Sequence, residues 1–155
     1  ASPSVAVTKS WSQLVAVGEF DTVLGEASAR GVDAVMSGGS LADLMALADA
    51  ARYRGRGGLS RQALLAVRSR FASSAAAATA AFLLARQAGG AAALVWFDRY
   101  LAEAPGGPFA AEALGRKMLL LRGAGRTAAA RAVAARYLAR YPKGGFASVA
   151  RDLQR

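Results

Sequence analysis

The chain has neither cysteine nor histidine in its 155 residues. Without cysteine there are no disulfides, thiol nucleophiles or zinc–thiolate sites, and without histidine the commonest general base and metal ligand is gone. The compartment stays open, because cysteine-free chains suit both the cytoplasm and an oxidising envelope. Acids are scarce as well. Ten stand against 20 Lys and Arg, 17 of which are Arg, for a net charge of +10. That balance favours an acidic partner: a protein face, an anionic lipid surface or nucleic acid. Long apolar runs are also missing. Residues 72–85, the longest charge-free apolar stretch of helical character, are mostly Ala and fall well short of the roughly 20 residues that span a bilayer. No transmembrane segment is expected, and no signal peptide is visible at Ala1.

What is abundant is alanine, at 40 positions. Ala is the strongest helix former and lets helices approach closely. Glycine recurs at intervals, and no stretch alternates with period two, so the pattern predicts an all-α chain without a sheet. Residues 1–10 read as a flexible tail. Helical spacing follows over 11–20 and 20–31, with Gly31 as a stop, while 32–39 is ambiguous. Ser40 caps a helix over 41–53, with Asp43 three residues on. Ser60 is expected to cap a helix over 61–71. Further helices are expected over 75–87, 91–104, 109–122, 127–141 and 146–154.

An internal repeat underlies this order. Tyr100, Leu101, Ala102, Pro105, Phe109, Ala110 and Ala113 recur 37 residues later as Tyr137, Leu138, Ala139, Pro142, Phe146, Ala147 and Ala150. A fainter copy aligns Ala63, Val67, Arg70 and Phe71 with Ala93, Phe97, Tyr100 and Leu101, an offset of 30, and Leu84 and Arg86 with Leu114 and Arg116 at the same offset. A two-helix unit of this length cannot bury its apolar face alone, so stacked units share a core. Pro105 and Pro142 stop the second helix of each unit. The firmest units are 41–74, 75–107 and 108–145, within a repeat domain over 11–155.

This seam resembles tetratricopeptide-repeat proteins. More narrowly, it is similar to repeats of two bacterial envelope families, the outer-membrane assembly lipoproteins and the Tol–Pal-associated coordinators, and more weakly to repeat tails that follow iron-regulator-like envelope domains. The resemblance covers about residues 40–155 and rests chiefly on 99–151. The consensus Trp and Tyr of the first helix are missing, and 75–87 offers mostly Ala there. The resemblance implies a right-handed α-α superhelix of about seven to nine short antiparallel helices. It further implies a non-enzymatic scaffold that binds another protein, in a periplasmic or envelope-associated setting, with the cytoplasm as the alternative. First helices line the inner groove in that family, so Leu44, Leu47, Asp49, Phe82, Arg86, Arg116 and Lys117 become partner-binding candidates.

The residues themselves suggest few other sites. Arg52, Arg54, Arg56 and Arg61 form a basic run in a segment without acids between Asp49 and Asp98. Its bland reading is a solvated helix face; the alternatives are an acidic protein or lipid surface and, least, nucleic acid, since only Tyr53 interleaves and no base-reading motif is present. The glycine turn over 54–60 lacks the preceding strand and the Lys of a phosphate-binding loop. Of Trp96, Phe97 and Tyr100, Phe97 should be core, and the other two touch a neighbouring repeat or a partner. The carboxylates Glu19 with Asp21, and Glu103 with Glu112, have no helper base nearby. No catalytic residue, metal or cofactor is therefore expected.

Overall fold

A computed structural model describes residues 7–155, and among them it holds ten helices and no strand. The chain divides into two compact units, one ending at Ala72 and the other Ser73–Arg155. Of the expected tail, residues 1–6 lie outside the described residues. Residues 7–10 are exposed and irregular, yet Lys9 reaches Glu19 at 3.3 Å and Ser10 closes a capping box with Gln13.

The first unit contains α1 (Trp11–Ala16), α2 (Phe20–Arg30), α3 (Val32–Gly38), α4 (Leu41–Tyr53) and α5 (Gly57–Arg70). The ambiguous stretch is thus helical, which raises the count above the seven to nine expected. Gly31, at φ +88°, breaks α2 from α3, a conformation glycine adopts without a Cβ penalty. Helix α4 is the hub and packs on α1, α2 and α5. Its Leu44 and Leu47 are fully buried with Trp11, Val23, Leu64 and Val67. Trp11 spends its one polar atom on Glu26, donating to Oε2 at 2.6 Å. Ser40 caps α4 as expected, accepting from the Asp43 amide. Ser60 does not cap α5. The turn already closes when the Arg56 amide donates to Ala51 at 2.7 Å, so α5 begins at Gly57 and Ser60 is buried within it.

The second unit contains α6 (Ala75–Gln87), α7 (Gly90–Glu103), α8 (Ala110–Gly123), α9 (Thr127–Arg140) and α10 (Ala147–Gln154), each packed on the next. The repeated seam has a physical basis. The Tyr100 hydroxyl accepts from the Phe109 amide at 2.9 Å, and the Tyr137 hydroxyl from the Phe146 amide at 3.1 Å. Each buried phenol thereby caps the start of the next helix. A Cβ on Gly107 would stand 2.5 Å from the Tyr100 hydroxyl, and one on Gly144 would strike that of Tyr137. Arg140 also donates to Pro105 at 2.9 Å, tying one seam to the end of α9.

The fainter alignment needs a correction. Helices α5, α7 and α9 each have 14 residues, beginning at 57, 90 and 127. Their ends match too: Phe71 donates to Val67, Ala104 to Tyr100 and Tyr141 to Tyr137. Val67 is therefore the counterpart of Tyr100, at an offset of 33 rather than 30. Among first helices, the Ser40 and Ser74 caps align α4 with α6 at 34. The buried residues Ala78, Phe82 and Ala85 align with Leu114, Met118 and Leu121 at 36, so Leu84 and Arg86 are not the counterparts of Leu114 and Arg116. Three residues advance a helix by about 300°, so a slip of three keeps the same face inward. For the second helices, burial pattern alone does not separate offsets of 30 and 33; the helix ends do.

Candidate functional site

In the first unit Leu44 and Leu47 have no exposed surface. They hold α4 against its neighbours and offer a partner nothing. Asp49 is half-buried and pairs with Arg52 at 3.3 Å. The basic run acquires a neighbour that lies far off in sequence. Tyr53 stacks on Phe20 with centroids 4.6 Å apart and planes 10° from parallel. The Arg52 guanidinium lies 4.2 Å from the Tyr53 centroid, and that of Arg54 lies 5.5 Å from Phe20. Arg54 also grips Asp21 with two bonds of 2.9 and 2.8 Å. Two of the four arginines are thus neutralised and stacked. Arg56 and Arg61 are exposed with no ion pair among the described residues.

In the second unit Phe82 is also core, stacked on Phe109 at 4.5 Å and tilted against Tyr100 and Phe97. Its placement in a groove is corrected: an Ala-rich α6 leaves room that this one large ring fills. Tyr100 is buried too, while Trp96 lies half-buried against the core. Burial pushes the Tyr100 phenol above its ordinary value of 10.0, against the opposing pull of the Phe109 amide.

Arg86 and Arg116 come together. Both line one cleft of about 520 Å³ whose floor is Ala85, Ala93, Phe97, Leu119 and Leu120. Helix α6 supplies Arg86 from its last turn, α7 supplies Ala93 and Phe97, and α8 supplies Arg116 with the two leucines. Arg116 is steadied by Glu112 one turn back, at 2.7 Å. The Arg86 side chain is exposed and has no hydrogen-bond or ion-pair partner among the described residues. A cleft of this volume falls in the range of ligand sites, and its few polar groups on an apolar floor are the usual arrangement.

Lys117 does not join them. It points to the other side of α8 and pairs with Asp98 of α7 at 2.5 Å. The cleft floor was readable in advance. Met118, Leu119, Leu120 and Leu121 are four apolar residues in succession on a helix, and a helix cannot turn four consecutive residues to one core. Met118 and Leu121 are buried, whereas Leu119 and Leu120 are half-exposed in the cleft.

Of the carboxylates weighed for chemistry, Glu19 pairs with Lys9, Asp21 with Arg54 and Glu112 with Arg116. Among the described residues, no three His, Cys, Asp or Glu side chains group to hold a metal, and no helix is long and apolar enough to cross a membrane. No family model matches the chain, and no curated protein or solved structure matches it either.

Proposed function

We propose that the protein is a non-catalytic module, of tetratricopeptide-like style, that binds a short segment of another protein in the cleft between α6, α7 and α8. The carrying observation is the pairing of Arg86 with Arg116 over an apolar floor. A guanidinium recognises a carboxylate through paired N–H bonds, and Phe97, Leu119 and Leu120 accept an apolar side chain beside it. The occupant is therefore a segment with a carboxylate, a chain terminus or an acidic side chain, next to an apolar residue. The periplasmic or envelope setting and the superhelical arrangement rest on the resemblance of the Tyr–Pro–Phe seam alone.

A peptide library in free-acid and amidated forms tests this. The full chain should retain free-acid peptides with an apolar residue near the terminus. Arg86→Glu should weaken them about tenfold or more while the helical circular dichroism stays unchanged. Arg116→Gln should act in the same direction without placing a new acid near Glu112. Binding that survives both substitutions would show that the cleft is not the site.

The stacked Phe20 and Tyr53 favour a second reading, a surface for nucleic acid or anionic membrane, because aromatic and Arg planes serve such ligands. Its charge is limited, since Arg52 and Arg54 are paired. Micromolar binding to DNA or anionic vesicles that falls steeply with salt would promote it.

A further inference from the structure

The other side of α8 carries a second cationic recess. Leu94 and Asp98 of α7, Lys117 and Leu121 of α8, and Arg126 and Arg136 of α9 line a groove of about 280 Å³. Its charges do not cancel. Lys117, with its side chain only 18% exposed, is neutralised by Asp98 at 2.5 Å. The guanidiniums of Arg126 and Arg136 have no ion-pair or hydrogen-bond partner among the described residues. Two guanidiniums therefore flank a recess whose remaining wall is largely apolar. Arg126 is also the residue before α9, with no side-chain cap of its own. A cation there opposes the helix dipole, so the sequence places charge where folding alone gains nothing from it.

We infer that this groove binds a phosphoryl monoester carried on a peptide side chain. The charge count selects it. A carboxylate answers one guanidinium and leaves the other unpaired, whereas a phosphoryl dianion with three acceptor oxygens answers both. The recess between three helices admits a projecting side chain, and Leu94 and Leu121 accept the carbons of its stem. A bilayer would instead need cations that project from a flat face. The inference does not depend on the cleft beside Arg86, which lies across α8.

Titration of the isotope-labelled full chain, followed by amide resonances, provides the test. A phosphoserine peptide should shift the amides of Leu94, Asp98, Lys117 and Ala129. Inorganic phosphate should shift the same set more weakly, and the unphosphorylated peptide should not. Arg126→Gln with Arg136→Gln should weaken the phosphopeptide about tenfold or more. The charge-matched pair Arg99→Gln with Arg122→Gln, on exposed residues outside the groove, should change it less than twofold. Affinity should rise between pH 5 and 7.5, as the phosphoryl group loses its second proton near pH 6. Four results would overturn the proposal: equal loss in both double variants, equal binding of a peptide with aspartate in place of the phosphoserine, shifts confined to the Arg86 cleft, or binding to phosphatidic acid vesicles without binding to the phosphopeptide.

Discussion

Gly25 and Gly115 each sit in the middle of a helix, one in each unit, and nothing in their immediate sequence tells them apart. The structure does. Around Gly25, exposed on α2, a Cβ would meet nothing within 4 Å. At Gly115, buried on α8, a Cβ would strike the ring of Phe146. The first glycine is a cost in helix propensity that tertiary packing carries. The second is a socket for Phe146, the residue before α10. The contrast extends to the units as wholes. The second builds its core from rings, with Phe82, Phe97, Tyr100 and Tyr137 all fully buried. The first fully buries one ring, Trp11, and leaves Phe20 half-buried and Tyr53 exposed, stacked on each other and on arginines.

The strongest blow to this contrast falls on Phe82. Its ring contacts Phe97, Tyr100 and Phe109, so Phe82→Ala should cost about 3–5 kcal/mol. Urea unfolding followed by circular dichroism would read it. A loss under about 1 kcal/mol would return Phe82 to the surface role that sequence reasoning gave it. Next come the glycines. Gly115→Ala should destabilise by about 1–3 kcal/mol, because Phe146 must shift while packed against Tyr137. Gly25→Ala should stabilise by about 0.5–1 kcal/mol, since only helix propensity changes. Two effects of the same sign would erase the distinction.

The seam yields a smaller, pH-dependent effect. Tyr100→Phe removes the acceptor of the Phe109 amide and should cost about 1–2 kcal/mol. The phenol's raised value in the folded state means that folding favours its protonated form. Its contribution is complete below the ordinary tyrosine value and is lost as pH rises past it. Wild-type stability should therefore fall above about pH 10, where unfolded tyrosine ionises. Tyr100→Phe should show a shallower decline, measurable by urea unfolding between pH 9 and 11.

Much of the architecture was legible beforehand because helix formation is local. The Ser40 cap and the breaks at Gly31, Pro105 and Pro142 act over a few residues, and each appears where the sequence puts it. What was missed depends on residues far apart. Ser60 looked like a cap, but the helix starts earlier because Arg56 closes on Ala51. The register of α5 differs by three from the sequence alignment because its inward face repeats at that spacing. The family resemblance places Leu44, Leu47 and Phe82 in a groove, but an apolar side chain on a first helix serves its own hairpin before any ligand. Arg86 and Arg116 met in one cleft for a reason that charge alone does not supply: four consecutive apolar residues on α8 oblige two leucines to leave the core.

The smallest effect expected concerns the exposed stack of the first unit. Arg54 binds Asp21 with two good bonds and lies over Phe20, which by contact alone makes it the best-placed cation on that surface. Its side chain is 45% exposed and that of Asp21 is 77% exposed. Water screens both charges, and holding two flexible side chains together costs entropy, so such pairs contribute about 0–1 kcal/mol. Arg54→Ala should therefore lower stability by no more than about 1 kcal/mol, and the difference from wild type should shrink between 50 mM and 1 M salt as the pair is screened. The part that persists at high salt measures the guanidinium's contact with the ring rather than its charge. A loss comparable to that of Phe82→Ala would mean that the surface stack, and not the Leu44–Leu47 face of α4, holds α2 in place.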